Sequence, residues 1–160
     1  MYSCKEPQAR RPKTHTTRDF YKEVVAHNKR LNELENKRIA NFIEHDTIHT
    51  YHNSSNGYWF TYDKKNEDNL PNPKPNQTVV INFSVADLYG NELYPQQQKL
   101  YKVDKEDFIP ALQNGIKLMK EGETITFVIP SYSAFGVVGD GDKIKPNQTI
   151  KSKVTLINIK

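Results

Sequence analysis

The 160-residue chain has little cysteine and no long apolar segment. Its one cysteine is Cys4, so no disulfide can form within the chain. No stretch approaches the roughly 18 apolar residues of a membrane-spanning helix, and the sequence predicts none. A His-Glu-x-x-His motif and any convincing pairing of a nucleophile with a base are also lacking. We predict no metal site and no cofactor.

The composition is typical of a polar globular protein. Hydrophobic residues make up 36% of the chain and aromatic residues 11%, which argues against general disorder. About 100 residues suffice for a buried core, so the length predicts one domain with an extension. The net charge of +4 is modest, and the basic residues are spread along the chain. Nucleic-acid-binding surfaces concentrate positive charge, so we expect no nucleic-acid partner.

Residues 1–16 are polar and contain Pro7 and Pro12, which predicts an extended tether. Cys4 near its start has two interpretations. It is either an incidental thiol or the lipidated cysteine of a bacterial lipoprotein from which the apolar signal segment has been removed. In the second case, any contact with a membrane would be made through a lipid on Cys4.

Residues 17–44 are predicted to form a helix. Thr17 is suited to the N-cap, and Asp19 lies in the first turn, where a carboxylate is favoured. The helix carries a broken apolar stripe that is too weak for a sustained coiled coil. The stripe consists of Val24, Leu31, Leu34, Ile39, Phe42 and Ile43. It predicts packing on the domain or a homodimer contact through residues 17–44.

Three histidines follow this helix: His45, His49 and His52. Histidines four residues apart share a helix face and could bind a metal. Because the segment reads as a helix end running into a strand, we favour solvent-exposed histidines.

An aromatic strand is predicted over residues 56–63, after the Asn-Ser-Ser-Asn-Gly turn at 53–57. That turn predicts a hairpin with residues 48–52. Alternation would place Tyr58, Phe60 and Tyr62 on one side, and Trp59 and Thr61 on the other. We assign residues 17–66 as an extension made of this helix and this strand.

Residues 67–160 are assigned to the main domain, and the proline-containing loop at 64–77 marks the boundary between it and the extension. Pro110 suits a first helical turn, and Gly122 can adopt a left-handed turn after the helix. Strands are predicted over 78–88, 99–103, 124–129 and 149–159, and a helix over 109–120. The fold class is α+β, an antiparallel sheet wrapped on one short helix.

A sequence pattern over residues 108–150 also resembles a known family. The pattern consists of Leu112, Gly115, Met119 and Gly122, then Ile129, Pro130, Ser131, Ala134, Phe135 and Gly136, then Pro146 and Thr149. In order and spacing it is similar to the FK506-binding-protein (FKBP) family of peptidyl-prolyl cis-trans isomerases. The resemblance implies an apolar pocket that holds a proline ring and needs no nucleophile, metal or cofactor.

The resemblance also implies which residues form that pocket. The catalytic positions would be Phe83, Leu93, Ile109, Leu112 and Phe135. The further substrate-binding positions would be Tyr94, Phe108 and Ile144. The backbone N–H of Ile109 would bond the substrate carbonyl.

Several pocket positions depart from the family pattern. Tyr94 stands where aspartate is usual, Leu112 where tryptophan is usual, and Phe135 where tyrosine is usual. Ser152 replaces a pocket phenylalanine. The expected pocket is apolar but reshaped, with fewer hydrogen-bond donors. Two functions follow, namely a prolyl isomerase and a non-catalytic chaperone or peptide-binding module on the same fold.

The whole chain is similar to the gliding-motility-associated lipoprotein isomerases of the Bacteroidetes. The Ser-Cys-Lys-Glu-Pro start, the long helix and the aromatic strand carry this closer resemblance. It implies a lipid-anchored, periplasm-facing protein of the cell envelope whose clients are proline-containing polypeptides. An envelope scaffold dimerised by residues 17–44 is a third hypothesis.

Overall fold

The computed structural model describes residues 17–160, so the predicted tether and Cys4 lie outside the described residues. The N-terminal elements are α1 (Thr17–His45), β1 (His52–Asn53), β2 (Trp59–Lys64), β3 (Thr78–Asp87) and β4 (Glu92–Lys102). They are followed by α2 (Pro110–Gly115), a 3-10 helix (Ile116–Leu118), β5 (Thr124–Ile129), a 3-10 helix (Ser131–Ser133) and β6 (Ile150–Ile159).

The strands form one six-stranded antiparallel sheet in the order β1-β2-β5-β6-β3-β4. The short helix α2 packs on one face of this sheet. A Cβ atom at Gly115 would lie 2.4 Å from the ring of Phe127, so only glycine allows α2 to approach β5 so closely. The predicted α+β class is therefore confirmed, including the N-terminal helix and the aromatic strand.

The predicted helix over 109–120 is shorter in the structure. Pro110 occupies the first turn as expected, but the α-helix ends at Gly115 and continues as the 3-10 helix Ile116–Leu118. Ile116, in this 3-10 helix, and Met119, the extended residue that follows it, are both completely buried. Gly122 then takes the predicted left-handed conformation, with φ 80°.

Strand β4 is longer than the predicted strand at 99–103. It begins at Glu92 and lies at the sheet edge, where it pairs only with β3. Its middle is polar and exposed, which protects an edge from pairing with another chain. The register shifts between the Phe83–Gln97 and Val85–Tyr94 pairs, and Pro95 lies in this bulge.

The aromatic strand belongs to the same sheet, because β2 pairs with β5 and with β1. Its side chains alternate as predicted. Tyr58, Phe60 and Tyr62 belong to the main core, whereas Trp59 packs on the opposite face. The assigned boundary between residues 66 and 67 stays a prediction.

Helix α1 extends one residue beyond its predicted end, and only its second half packs on the sheet. Ile39, Phe42 and Ile43 contact a small apolar cluster with Leu88 and Val128 on the face opposite the main core. Residues 17–30 are all exposed. No helix in the described part of the chain is long and apolar enough to span a membrane.

His45 at the end of α1, and His49 and His52 after it, are all exposed. His45 contacts the Asn41 carbonyl oxygen, and His49 pairs with Asp46 at 2.9 Å. Within residues 17–160, no group of three or more His, Cys, Asp or Glu side chains is arranged to hold a metal.

Candidate functional site

A cavity of about 380 Å³ opens between β3, β4, the start of α2 and the loop that follows β5. Six of the eight pocket residues inferred from the sequence line it, namely Phe83, Tyr94, Phe108, Ile109, Phe135 and Ile144. Their catalytic and binding roles stay predictions. The structure brings them together from segments that are far apart in the sequence.

The other two inferred residues do not line this cavity. Leu112 is completely buried in the main core, one turn into α2. Leu93 is half-buried and packs against the same core. Both support the residues around the cavity rather than forming its surface.

Aromatic contacts fix the wall that comes from β3 and the segment before α2. The rings of Phe83 and Phe108 meet edge to face, with centroids 5.1 Å apart and an interplanar angle of 86°. Tyr101 packs against Phe108 at 5.5 Å. Such pairs restrict ring orientation beyond what burial alone would do. This wall is therefore continuous with the hydrophobic core.

Ile109 presents a backbone donor beside this wall. It is the N-cap of α2, and Pro110 after it opens the helix. The Ile109 carbonyl accepts hydrogen bonds from the Leu112 N–H at 2.8 Å and the Gln113 N–H at 3.0 Å. No residue within 17–160 accepts a hydrogen bond from the Ile109 N–H. Because buried backbone donors need a partner, this N–H is suited to a ligand carbonyl.

Tyr94 and Asp140 are hydrogen-bonded to each other at the cavity. From the sequence, we had expected this pocket to have fewer hydrogen-bond donors than is usual in the family. The Tyr94 hydroxyl donates a hydrogen bond to Asp140 Oδ2. This bond, with some desolvation, raises the pKa of Tyr94 to about 12. The Lys143 ammonium lies 5.1 Å from the centre of the Tyr94 ring. A phenol–carboxylate pair is therefore present at the cavity.

Asp140 also organises the loop that carries it. Its Oδ1 accepts hydrogen bonds from the Asp142 N–H at 2.9 Å and the Ile144 N–H at 2.8 Å. Burial would raise the pKa of Asp140, but these bonds and the one from Tyr94 lower it below its usual value. The Gly-Asp-Gly-Asp run at 139–142 is the sequence feature that could have indicated this role of Asp140, because aspartates in turns accept hydrogen bonds from nearby backbone N–H groups.

The sequence did not predict six further lining residues, namely Val85, Gln97, Asp107, Pro110, Ala134 and Asp140. Gln97 lies at the cavity because it pairs with Phe83 across β3 and β4, a contact that no local pattern had indicated. Ser152, expected at the pocket, is not among the lining residues. It is buried, and its hydroxyl donates to the Ser84 carbonyl at 2.9 Å, so it adds no unpaired polar group.

A larger concavity of about 570 Å³ lies between the end of α1 and Tyr89. Four of its six lining residues carry polar or charged side chains, namely Arg38, Asn41, His45 and Asp46. A proline ring requires an apolar surface, so this concavity fits the expected ligand less well than the smaller cavity does.

Comparisons with known proteins agree with this geometry. The family described as FKBP-type peptidyl-prolyl cis-trans isomerase matches residues 70–157, which include every inferred pocket residue. The isomerase FkpA of Escherichia coli K12 is 34% identical over 92 residues, or 55% of this chain and 33% of that protein. A Neisseria meningitidis protein assigned the same name is 47% identical over 51 residues, or 32% of this chain and 19% of that protein. The matched segments thus span a third or less of the length of these relatives.

Two solved structures share the fold. A peptidyl-prolyl cis-trans isomerase from Pseudomonas syringae superposes with a TM-score of 0.65 at 21% identity, covering 82% of this chain and 95% of that one. FkpA from Escherichia coli superposes with a TM-score of 0.63 at 22% identity, covering 92% of this chain and 74% of that one.

Proposed function

Because the chain belongs to the FKBP-type peptidyl-prolyl cis-trans isomerase family, we propose that it catalyses the cis–trans isomerisation of X–Pro bonds in polypeptides. The observation that carries this proposal is the cavity of about 380 Å³. It combines apolar walls with the backbone N–H of Ile109. This N–H donates no hydrogen bond to any residue within 17–160. These are the two features that binding a proline ring and its neighbouring carbonyl requires.

The reaction needs no nucleophile, metal or cofactor, because no covalent bond forms or breaks. The barrier is about 20 kcal/mol and arises from loss of amide resonance as the bond twists. In the proposed mechanism, Phe83, Phe108 and Ile144 enclose the ring and exclude water from the planar, polar ground state. The Ile109 N–H holds the substrate carbonyl while the bond rotates.

We further propose that the clients are proline-containing segments of exported proteins, and that the protein acts on the periplasmic side of the cell envelope. A lipid on Cys4 would anchor it there, and a role in gliding motility would follow from the closer resemblance. The support is that resemblance, together with the bacterial origin of the matched relatives. Radiolabelled palmitate incorporation in the native host, compared with a Cys4→Ala variant, tests the anchor.

A charge placed in the cavity tests the isomerase assignment. Phe135→Asp should lower kcat/KM for a Leu-Pro peptide by about 100-fold, because an unpaired carboxylate disfavours the apolar ligand. Val138→Asp is the matched control, since Val138 lies in the same loop and is 75% exposed. Retention of full activity by Phe135→Asp would contradict the assignment of the cavity.

A non-catalytic peptide-binding module is the second candidate. It is favoured by Phe135 and Leu112, which supply no side-chain hydrogen-bond donor, and by Leu112 lying outside the cavity surface. This candidate predicts that a peptide binds equally well when its proline is replaced by alanine. The isomerase predicts a clear loss of affinity for the alanine peptide.

We also propose that the exposed half of α1 contacts a second copy of this chain. Phe20, Val24 and Leu34 are 59%, 38% and 44% exposed. Together with Leu31 they follow one another at spacings of four, seven and three residues. This spacing places them along one helix face, as in the seam of a short helix pair. Sedimentation equilibrium should show a dimer that Val24→Asp dissociates, and a monomeric native chain would refute the contact.

A further inference from the structure

Glu35 of helix α1 lies outside the segment that matches the family, yet it reaches the loop that forms one wall of the cavity. We propose that Glu35 is a positioning residue that holds this loop, residues 131–149, in the form that binds substrate. This inference rests on the proposed function, because it assigns the cavity as the substrate site.

The Glu35 carboxylate makes three short hydrogen bonds. Its Oε1 accepts from the Ser131 N–H at 2.7 Å and from the Thr149 hydroxyl at 2.6 Å. Its Oε2 accepts from the Ser131 hydroxyl at 2.7 Å. Glu35 is only 5% exposed, and bonds to an ionised acceptor in such a place are strong.

The two partners stand at the two ends of the cavity loop. Ser131 lies two residues after the end of β5 at Ile129, and Thr149 directly precedes β6. The Glu35 side chain therefore holds both ends of a loop whose middle lines the cavity. That loop contributes Ala134, Phe135, Asp140 and Ile144 to the lining.

Ser131 transmits this anchoring toward Phe135. While its N–H and hydroxyl bond Glu35, its carbonyl accepts hydrogen bonds from the Ala134 N–H at 2.9 Å and the Gly136 N–H at 2.7 Å. Phe135 lies between these two donors in the chain. Its backbone is thus tied to the residue that Glu35 holds.

A second contact from α1 reinforces the same end of the loop, because the Tyr132 hydroxyl donates to Asn36 Oδ1 at 3.0 Å. On the far side, the loop is held by the bond from Tyr94 to Asp140. Loss of the Glu35 carboxylate would leave the Ser131 N–H, the Ser131 hydroxyl and the Thr149 hydroxyl without their acceptor, while the bond from Tyr94 to Asp140 would remain. The loop would then sample conformations in which Phe135 and Ile144 no longer close the cavity.

Such loosening has a specific kinetic signature. Apparent affinity falls in proportion to the fraction of molecules whose loop is competent, while turnover after binding is unchanged. Glu35→Gln keeps the size of the side chain but removes the charge. We expect it to raise KM for a Leu-Pro peptide by about threefold to tenfold with kcat within about twofold.

The experiment compares the native chain with Glu35→Gln and with Glu33→Gln, which changes an exposed glutamate two residues away on the same helix. Hydrogen exchange is measured beside the kinetics, at pH 7 and below the melting temperature of each variant. In Glu35→Gln the amides of Gly136 and Asn147 should exchange about tenfold faster, with those of β5 unchanged. Glu33→Gln should match the native chain in both measurements.

Unchanged KM and unchanged loop exchange in a folded Glu35→Gln variant would overturn the proposal. Equal losses in kcat, or faster exchange throughout the sheet, would also overturn it, because they indicate general destabilisation. If the native chain shows no isomerase activity, the proposed function fails. Selective exchange at Gly136 and Asn147 would then still establish that Glu35 positions the loop.

Discussion

The cavity has one wall formed by regular elements and an opposite wall formed by a loop. Phe83 on β3 and Ile109 at the start of α2 are buried members of the main core. Phe135 and Asp140 lie in the loop after β5 and are only half-buried. Apolar packing holds the first wall. The second is held by hydrogen bonds that the loop donates to Glu35 and by the one that Tyr94 donates to Asp140. A substitution in the first wall should therefore cost stability, and one in the second should mainly alter binding.

The largest effect is expected in the packed wall. Phe83→Ala should lower the free energy of unfolding by about 3–5 kcal/mol, because it removes a buried ring and leaves a void beside Phe108. Urea denaturation followed by fluorescence measures this loss. Phe135→Ala is the matched change in the loop wall and should cost much less stability while still raising KM. Equal destabilisation by the two substitutions would contradict the distinction between the walls.

A smaller effect is expected in the loop at Gly139. Its φ is 73°, and an added Cβ would lie 2.3 Å from the Ile144 carbonyl oxygen. Gly139→Ala should therefore destabilise by about 1–3 kcal/mol and displace Ile144 from the cavity. Gly141 is the control, since its φ is 78° but an added Cβ meets nothing within 4 Å. If Gly141→Ala costs as much in denaturation, the close contact with Ile144 is not the cause.

The sequence predicted local features well. It identified β5 over Thr124–Ile129 and the alternation of Tyr58, Phe60 and Tyr62, because periodicity within one strand determines which side chains are buried. The start of β4 was missed, since a polar edge strand shows no such periodicity.

Contacts between distant residues could not be predicted in the same way. Glu35 and Ser131 are 96 residues apart, and Tyr94 and Asp140 are 46 apart. Neither pair leaves a signal in local spacing, because each depends on how the helix and the loop are placed by the sheet. The resemblance located six of the cavity residues, but it could not show which residues hold the loop over them.

The smallest effect is expected from the pH dependence of the loop wall. The folded-state pKa of Asp140 is lower than its usual value, so its hydrogen bonds contribute stability that is complete above about pH 4. That contribution is lost as the pH falls through the lower folded-state pKa. Asp140→Asn should therefore show a smaller decrease in stability between pH 7 and pH 3 than the native chain, measured by denaturation at each pH. Asp142→Asn is the control, and an identical pH profile for Asp140→Asn and the native chain would contradict this assignment.

The central claim is that the cavity accelerates rotation about an X–Pro bond. Spontaneous exchange takes tens of seconds or more, so catalysis by micromolar protein is readily resolved. The direct measurement is a protease-coupled assay on the purified chain with a Leu-Pro peptide, with and without excess FK506. We expect acceleration that increases in proportion to protein concentration, and suppression by FK506 would place the catalysis in the cavity. No acceleration at micromolar protein would contradict the claim and favour the peptide-binding function.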